Sequence, residues 1–285
     1  MAANGKRPSS RKYAVLMTLL VVAIYGGGTA LALANCGLSS WCLNVVATLF
    51  FLAGTGNIIV GRPDGILIDS RNVISLARLQ MTAWTVLVLS ALYTAAMMNA
   101  ATNVSEALNI ELPEQLLWLM GISTTSLAGS ALILSTKKGE DPNTGEMDHT
   151  FELVNDNSKR DAGALTNQGQ LVANMSPSQA RWIDLFTGEE IGNYAQIDLS
   201  RVQMFFITIL VLIAYSAMLG SNLHHYDGHD LIKQFPALSG QLVGLIGISH
   251  GGYLVIKAVP HSQGPDDAAN NPGRTAAAAE QPPLG

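Results

Sequence analysis

An all-α integral membrane protein is the fold class this sequence predicts: about six transmembrane helices, arranged as an N-terminal hairpin followed by two homologous, parallel helical hairpins. Three observations lead there. The composition is 48% hydrophobic and only 13% charged, about half the charge usual in soluble domains. Charge is also segregated: residues 13–61 contain no Asp, Glu, Lys or Arg, which is room for two crossings at about 20 residues each. Finally, two phrases occur twice in the same order. SLARLQM at Ser75 to Met81 returns as DLSRVQM at Asp198 to Met204, and QLLWLMGIS at Gln115 to Ser123 returns as QLVGLIGIS at Gln241 to Ser249. Self-similarity in a fixed order is the mark of a duplicated unit.

The uncharged runs place spans near 13–34, 41–61, 76–100, 114–136, 200–222 and 237–257. Residues 1–12 are then a cytoplasmic N-terminus and 13–61 the first hairpin. The two repeat hairpins occupy 75–136 and 198–257, joined by a cytoplasmic segment over 137–197 and followed by a tail over 258–285. With the N-terminus inside, fifteen of the sixteen Lys and Arg fall on the cytoplasmic side and only Lys233 outside, as retention of Lys and Arg in short cytoplasmic loops requires. The net charge of −5 does not oppose this, because acidic residues count for little in the rule. No basic stripe exists to bind nucleic acid.

The first span has a basic leader and ends in Ala32-Leu33-Ala34, the pattern of a signal peptide with a small-residue cleavage site. Its apolar run is long for a signal, and a second span follows within a few residues, which favours a retained anchor. Cys36 and Cys42 are the only cysteines and fall in the external turn after it. Outside the cytoplasm a disulfide can persist there, and the alternative is two unpaired thiols.

Within the repeat, Ser75 and Asp198 are good N-caps. Arg78 and Arg201 follow one turn in, where their stems can lie along apolar neighbours and their guanidinium groups snorkel to headgroups. Equivalent positions predict equivalent losses on substitution. Gln80 and Gln203 lie deeper, where an amide is costly against lipid and should point into protein. Gly121 and Gly247 allow another helix to approach closely, and Ser123 and Ser249 add hydroxyls across that contact. The two readings of this motif are a packing seam, which is favoured, and a polar pathway or small-ligand site. Both units enter from the cytoplasm and return to it, so an axis along the membrane normal relates them, unlike the inverted repeats of many carriers.

Histidines offer the other chemistry. His224, His225, Asp227 and His229 fall close together in an external loop and are metal-ligand types, although the spacing matches no closed zinc framework and a solvated turn is favoured. His250 sits inside the sixth span beside Ser249, where an ionisable group is a functional candidate and a neutral histidine bonded to a neighbouring helix is the commoner outcome. Which cofactor the chain uses, if any, is unknown from these residues.

In the 137–197 segment, Thr150 to Val154 reads as a short strand. Ser176-Pro177 at the start and Gly188 past the end read as a short amphipathic helix over 177–187, with Trp182, Ile183 and Phe186 on one face, either in the headgroup zone or folded on the span ends. The tail after Pro260, rich in Pro, Ala, Gly and Asn, reads as disordered. The RLQM and LMGIS phrases resemble segments of uncharacterised bacterial multi-pass membrane proteins. That resemblance implies a bacterial inner-membrane setting and carries no activity.

Three functions of different classes fit these features. A pore- or channel-like homo-oligomeric assembly is suggested by parallel repeats, small-residue seams and few buried charges. A non-conducting scaffold or sensor would engage a cytoplasmic protein partner through 137–197. A metal-dependent or intramembrane enzyme would need His250 or the external histidines, and has the least behind it.

Overall fold

A computed structural model describes residues 10–158, 162–226 and 228–262. The chain is mostly helical, and five helices are long and apolar enough to cross a membrane. These are α1 (Ser10–Leu33, apolar from Lys12), α2 (Gly37–Val60), α3 (Leu76–Thr102), α4 (Glu114–Lys138) and α6 (Leu199–His224). Where a sixth span is expected the chain forms the helix α7 (Gly240–Ala258), 19 residues long, which is about 28 Å at 1.5 Å per residue. Gln241, five glycines, His250 and Lys257 dilute its hydropathy, and it is not among the five.

The connection between α4 and α6 differs from its sequence reading. Residues Thr150 to Val154 belong to a helix, α5 (Thr144–Ser158), not a strand. Met147, Thr150, Phe151 and Val154 recur at helical spacing and face a small core of Leu165, Val172, Ile191 and Tyr194, so the period is 3.6 over the whole segment even though five of its residues suit a strand. A two-stranded antiparallel hairpin follows, β1 (Leu165–Gln168) and β2 (Leu171–Asn174). The amphipathic helix expected over 177–187 is instead two 3₁₀ turns, Pro177–Gln179 and Trp182–Leu185. Extended backbone at Ala180 separates them.

The chain divides into two compact units. The first runs to Leu67 and includes Leu79–Gly121 and Ile207–Leu245. Within it α1 and α2 meet closely at Gly28, where a Cβ would lie 2.1 Å from the Asn44 side chain. Ser40 donates to the Gly28 carbonyl at 2.7 Å, and Asn44 donates to Thr94 at 2.9 Å. The small-residue seam therefore lies in the N-terminal hairpin. Trp41 donates to Ser90 at 3.0 Å, and Gln80 donates across helices to Thr208 at 2.7 Å. In the connections after α3 and α6, Glu111 and Gln234 form a parallel bridge, and Asn99 holds Ile232 through both its amide oxygen and its amide nitrogen.

The second unit comprises Ile68–Arg78, Ile122–Phe206 and the chain from Ile246 on. It contains α5, the hairpin and the helix portions around them. The tight turn of the hairpin packs on the end of α4: Gly169 has φ +61, and a Cβ there would lie 2.5 Å from the Lys138 carbonyl oxygen. Gln170 N–H donates to the Lys137 carbonyl at 3.1 Å. Gly169→Ala is expected to cost about 2 kcal/mol, from the left-handed backbone and the displaced carbonyls together. A shift in apparent melting temperature in detergent measures it, and an unchanged value would show that the turn does not depend on glycine.

Candidate functional site: a buried ion cluster

The approaches to α3 and α6 are built alike, although few of their residues match. Before α3, Gly65 N–H donates to the Arg62 carbonyl at 3.0 Å and Leu67 N–H to that of Asp64 at 3.0 Å. Ile68 and Ile74 then form an antiparallel bridge, and Arg78 Nη1 donates back to the Ile68 carbonyl at 2.9 Å. Before α6, Asp184 N–H donates to the Arg181 carbonyl at 3.0 Å and Phe186 N–H to that of Ile183 at 2.9 Å. Thr187 and Ile197 form the bridge, and Arg201 Nη1 donates back to the Thr187 carbonyl at 2.8 Å. In each case the arginine ties down a loop closed by its bridge, residues 69–73 in one and 188–196 in the other.

Those two loops carry the three carboxylates of the site and one of its four cations. Arg71, 2% exposed, reaches Asp69 at 2.9 Å and Glu189 at 2.6 Å. Glu189 also pairs with Arg201 at 3.5 Å and with Lys257 near the end of α7. Its neighbour Glu190 pairs with Lys137 near the end of α4 and accepts the backbone N–H groups of His261 and Ser262 at 2.9 and 3.1 Å. Lys137 donates further to the carbonyls of Lys257 and Val259, and Lys257 donates to the Tyr253 hydroxyl at 2.9 Å. Three carboxylates thus hold four cations drawn from three helices and one loop.

Electrostatics agree with the geometry. Burial alone would raise the pKa of Glu189, but Lys257, Arg71 and Arg201 overcome it and hold the carboxyl well below the usual range. Burial opposes the charge of Arg71 too, and Glu189 and Asp69 override it and raise the pKa. The cavity among Lys137, Glu189, Glu190, Asn193, Tyr253 and Lys257 is about 10 Å³, room for about one water molecule. As it stands the cluster is a clasp, and no substrate fits inside it.

The residues singled out from sequence take other places. Arg201 does not snorkel: at 2% exposure its guanidinium donates to the carbonyls of Asp184, Leu185 and Thr187, a turn that would otherwise end in unpaired acceptors. Arg78 is partly buried on its own loop. Ser75 and Asp198 lie ahead of α3 and α6, and Asp198 accepts from the N–H groups of Ser200 and Arg201. Gln80 is buried, whereas Gln203 is exposed. Gly121 is exposed with nothing within 4 Å of a Cβ, and at Gly247 a Cβ would make only an ordinary 3.7 Å contact with Ile122. Among the described residues the expected close approach at these glycines is not found. Ser123 is buried with an unpartnered hydroxyl, and Ser249 is half-buried. His250 is buried, its Nδ1 sharing a hydrogen bond with Ser126 Oγ at 2.6 Å.

Cys36 and Cys42 are exposed free thiols. Cys36 caps α2 and Cys42 lies within it, so six residues of helical rise put them about 9 Å apart, beyond disulfide reach. Among the described residues no group of three metal-ligand side chains gathers; Asp227, the fourth of the expected ligands beside His224, His225 and His229, lies outside the described residues. The rings of His224 and His225 stack edge to face, and His225 bonds to the Ser221 carbonyl at 2.8 Å. The tail was expected from 258, yet Val259 to Ser262 are tied to Lys137 and Glu190. Most of that tail lies outside the described residues.

Sequence reading found Arg71, Lys137 and Lys257 only as markers of topology and Arg201 as a headgroup anchor, and it did not single out Asp69, Glu189 or Glu190. The available signal was an acidic pair just ahead of a span, in a segment bordered by unpaired basic residues. A scan against family models, a search of curated proteins and a search of solved structures each found no match.

Proposed function

We propose that this chain is a membrane-embedded scaffold or sensor whose 137–197 connection is a folded cytoplasmic module that engages a protein partner. The observation that carries the reading is the ion cluster, which fixes the module to the ends of α4 and α7 and the approaches to α3 and α6. A mere linker has no need of four buried cations and three carboxylates, whose desolvation is costly unless a definite geometry is required. The similar approaches to α3 and α6, with their matching arginines, support a duplicated hairpin unit. The bias of Lys and Arg supports a cytoplasmic N-terminus and module, and the resemblance noted above supports a bacterial inner-membrane setting.

The outward face of α5 carries Asp148, Glu152 and Asp156, one per helical turn and all exposed, a face suited to water and to a basic partner. Affinity capture from native membranes is expected to retain a partner on the wild-type chain and to lose it with Glu152→Lys and Asp156→Lys combined. Equal retention would overturn the role given to this face.

A conducting oligomer is the second reading. The buried pair Ser126 and His250, with the unpartnered Ser123 hydroxyl on the same helix, favours it. Liposomes holding the purified chain discriminate: the scaffold reading expects ion and proton leak no greater than in protein-free liposomes, and flux abolished by His250→Ala would establish conduction instead.

A further inference from the structure

We propose that the turn Arg181-Trp182-Ile183 is an interfacial anchor that inserts into the cytoplasmic leaflet of the bilayer beside the start of α6; this rests on the reading of α6 as a membrane span. Trp182 and Ile183 are 54% and 53% exposed, while the next two residues of the same turn, Asp184 and Leu185, are buried. One side of a four-residue turn therefore holds the fold, and the other offers an indole and a branched alkyl group to the surroundings. Arg181 beside them is exposed as well. An aromatic body, an apolar neighbour and a cation are the combination that settles at headgroup depth.

The turn is not free to choose its position. Arg201, in the first turn of α6, donates to the carbonyls of Asp184 and Leu185 at 2.9 and 3.0 Å. Phe186 packs edge to face on Phe205 of α6 with ring centres 5.0 Å apart. Asp198 N–H donates to the Phe186 carbonyl at 2.8 Å. The turn that carries Trp182 and Ile183 is thus tied to the start of α6, where Ile197 and Leu199 are themselves exposed. The turn and the start of the span both offer apolar groups outward, so the occupant they fit is the same lipid.

The corresponding turn before α3 shows that the fold does not need these side chains. Its two backbone hydrogen bonds join the equivalent positions, yet the residues at the places of Trp182 and Ile183 are Pro63 and Asp64. A turn that forms equally with proline and aspartate does not require tryptophan and isoleucine for its shape. Their apolar character therefore serves the surface.

The test uses the full chain with Cys36 and Cys42 replaced by Ser, reconstituted in phosphatidylcholine and phosphatidylglycerol vesicles, with a nitroxide on a single cysteine. Three positions are compared: Ile183→Cys at the turn, Glu152→Cys on the aqueous face of α5, and Phe206→Cys on the exposed face of α6. Collisions with oxygen relative to those with an aqueous nickel chelate are expected to be several-fold higher at 183 than at 152 and to approach the value at 206. A ratio at 183 equal to that at 152 would overturn the anchor while leaving the span intact. A label at 183 shielded from both reagents would also overturn it and assign the turn to a protein contact. An aqueous value at 206 would instead refute the span itself. Trp182→Pro with Ile183→Asp, the pair found in the first turn, is expected to keep the chain folded and to abolish the lipid signature of a label at Leu199→Cys on the adjoining surface; an unchanged signature there would count against the anchor.

Discussion

Glu189→Gln is expected to lower the apparent stability of the protein in detergent or nanodiscs by about 3–5 kcal/mol, the usual cost of removing one partner from a buried ion pair. Arg71 would keep Asp69, but the Lys257 ammonium would keep, among the described residues, the Tyr253 hydroxyl and ring, and its charge would be uncompensated in a nearly closed space. The pH dependence follows from linkage. A carboxyl whose folded pKa lies below its unfolded value of about 4.3 contributes its full stabilisation above that value and loses it as pH falls through the folded pKa. Glu189 is shifted in that direction. Stability of the wild type should therefore hold through neutral pH and decline below about pH 4, whereas Glu189→Gln should show less of that decline. Limited proteolysis within residues 139–197 should quicken in the variant, because the module depends on this contact. A loss under about 1 kcal/mol, the range of exposed surface pairs, would mean that the cluster is solvated and holds nothing.

Much of the architecture was legible because lipid leaves the backbone few options. An uncharged run of 20 residues must be a helix there, and α1, α2, α3, α4 and α6 lie where charge is missing. Short elements in water obey weaker rules. Thr150 to Val154 has strand-forming residue types, but the core contact of Met147 lies outside that window, and only the longer window shows a helix. The hairpin at Leu165 to Asn174 was marked by Gly169 between two short alternating runs, a signal diluted by the polar composition around it. Ser176-Pro177 did open a turn, with Gln179 completing its capping box, but nothing local foretold that Ala180 would extend the chain after three residues. The cluster was the least legible part. Its members stand at 69, 71, 137, 189, 190, 201 and 257, and each basic residue already had a sufficient explanation as a cytoplasmic marker. Long-range pairing of charges leaves no periodicity in a sequence, so only the fold could bring them together.

Arg78 and Arg201 occupy matching positions in the two phrases, and equal substitutions there should nonetheless have unequal effects. Arg201→Leu is expected to cost about 3–5 kcal/mol, because it strands the buried carbonyls of Asp184, Leu185 and Thr187, each worth about 1–3 kcal/mol when left unpaired, with some relief from repacking. It also withdraws one cation from Glu189. Arg78→Leu should cost less, about 1–2 kcal/mol, because Arg78 is only partly buried and water can take over bonds such as that to the Ile68 carbonyl. Lysine separates the roles further. Arg201→Lys restores a charge near Glu189, but a single ammonium cannot reproduce a planar fork that reaches three carbonyls through three different nitrogens, so it should recover less than half of the loss. Arg78→Lys should behave nearly as wild type. Apparent melting temperatures of the four variants, compared at one detergent concentration, decide the matter. Equal losses at the two positions, or full rescue by lysine at 201, would return both arginines to a headgroup role and remove Arg201 from the clasp that holds the module.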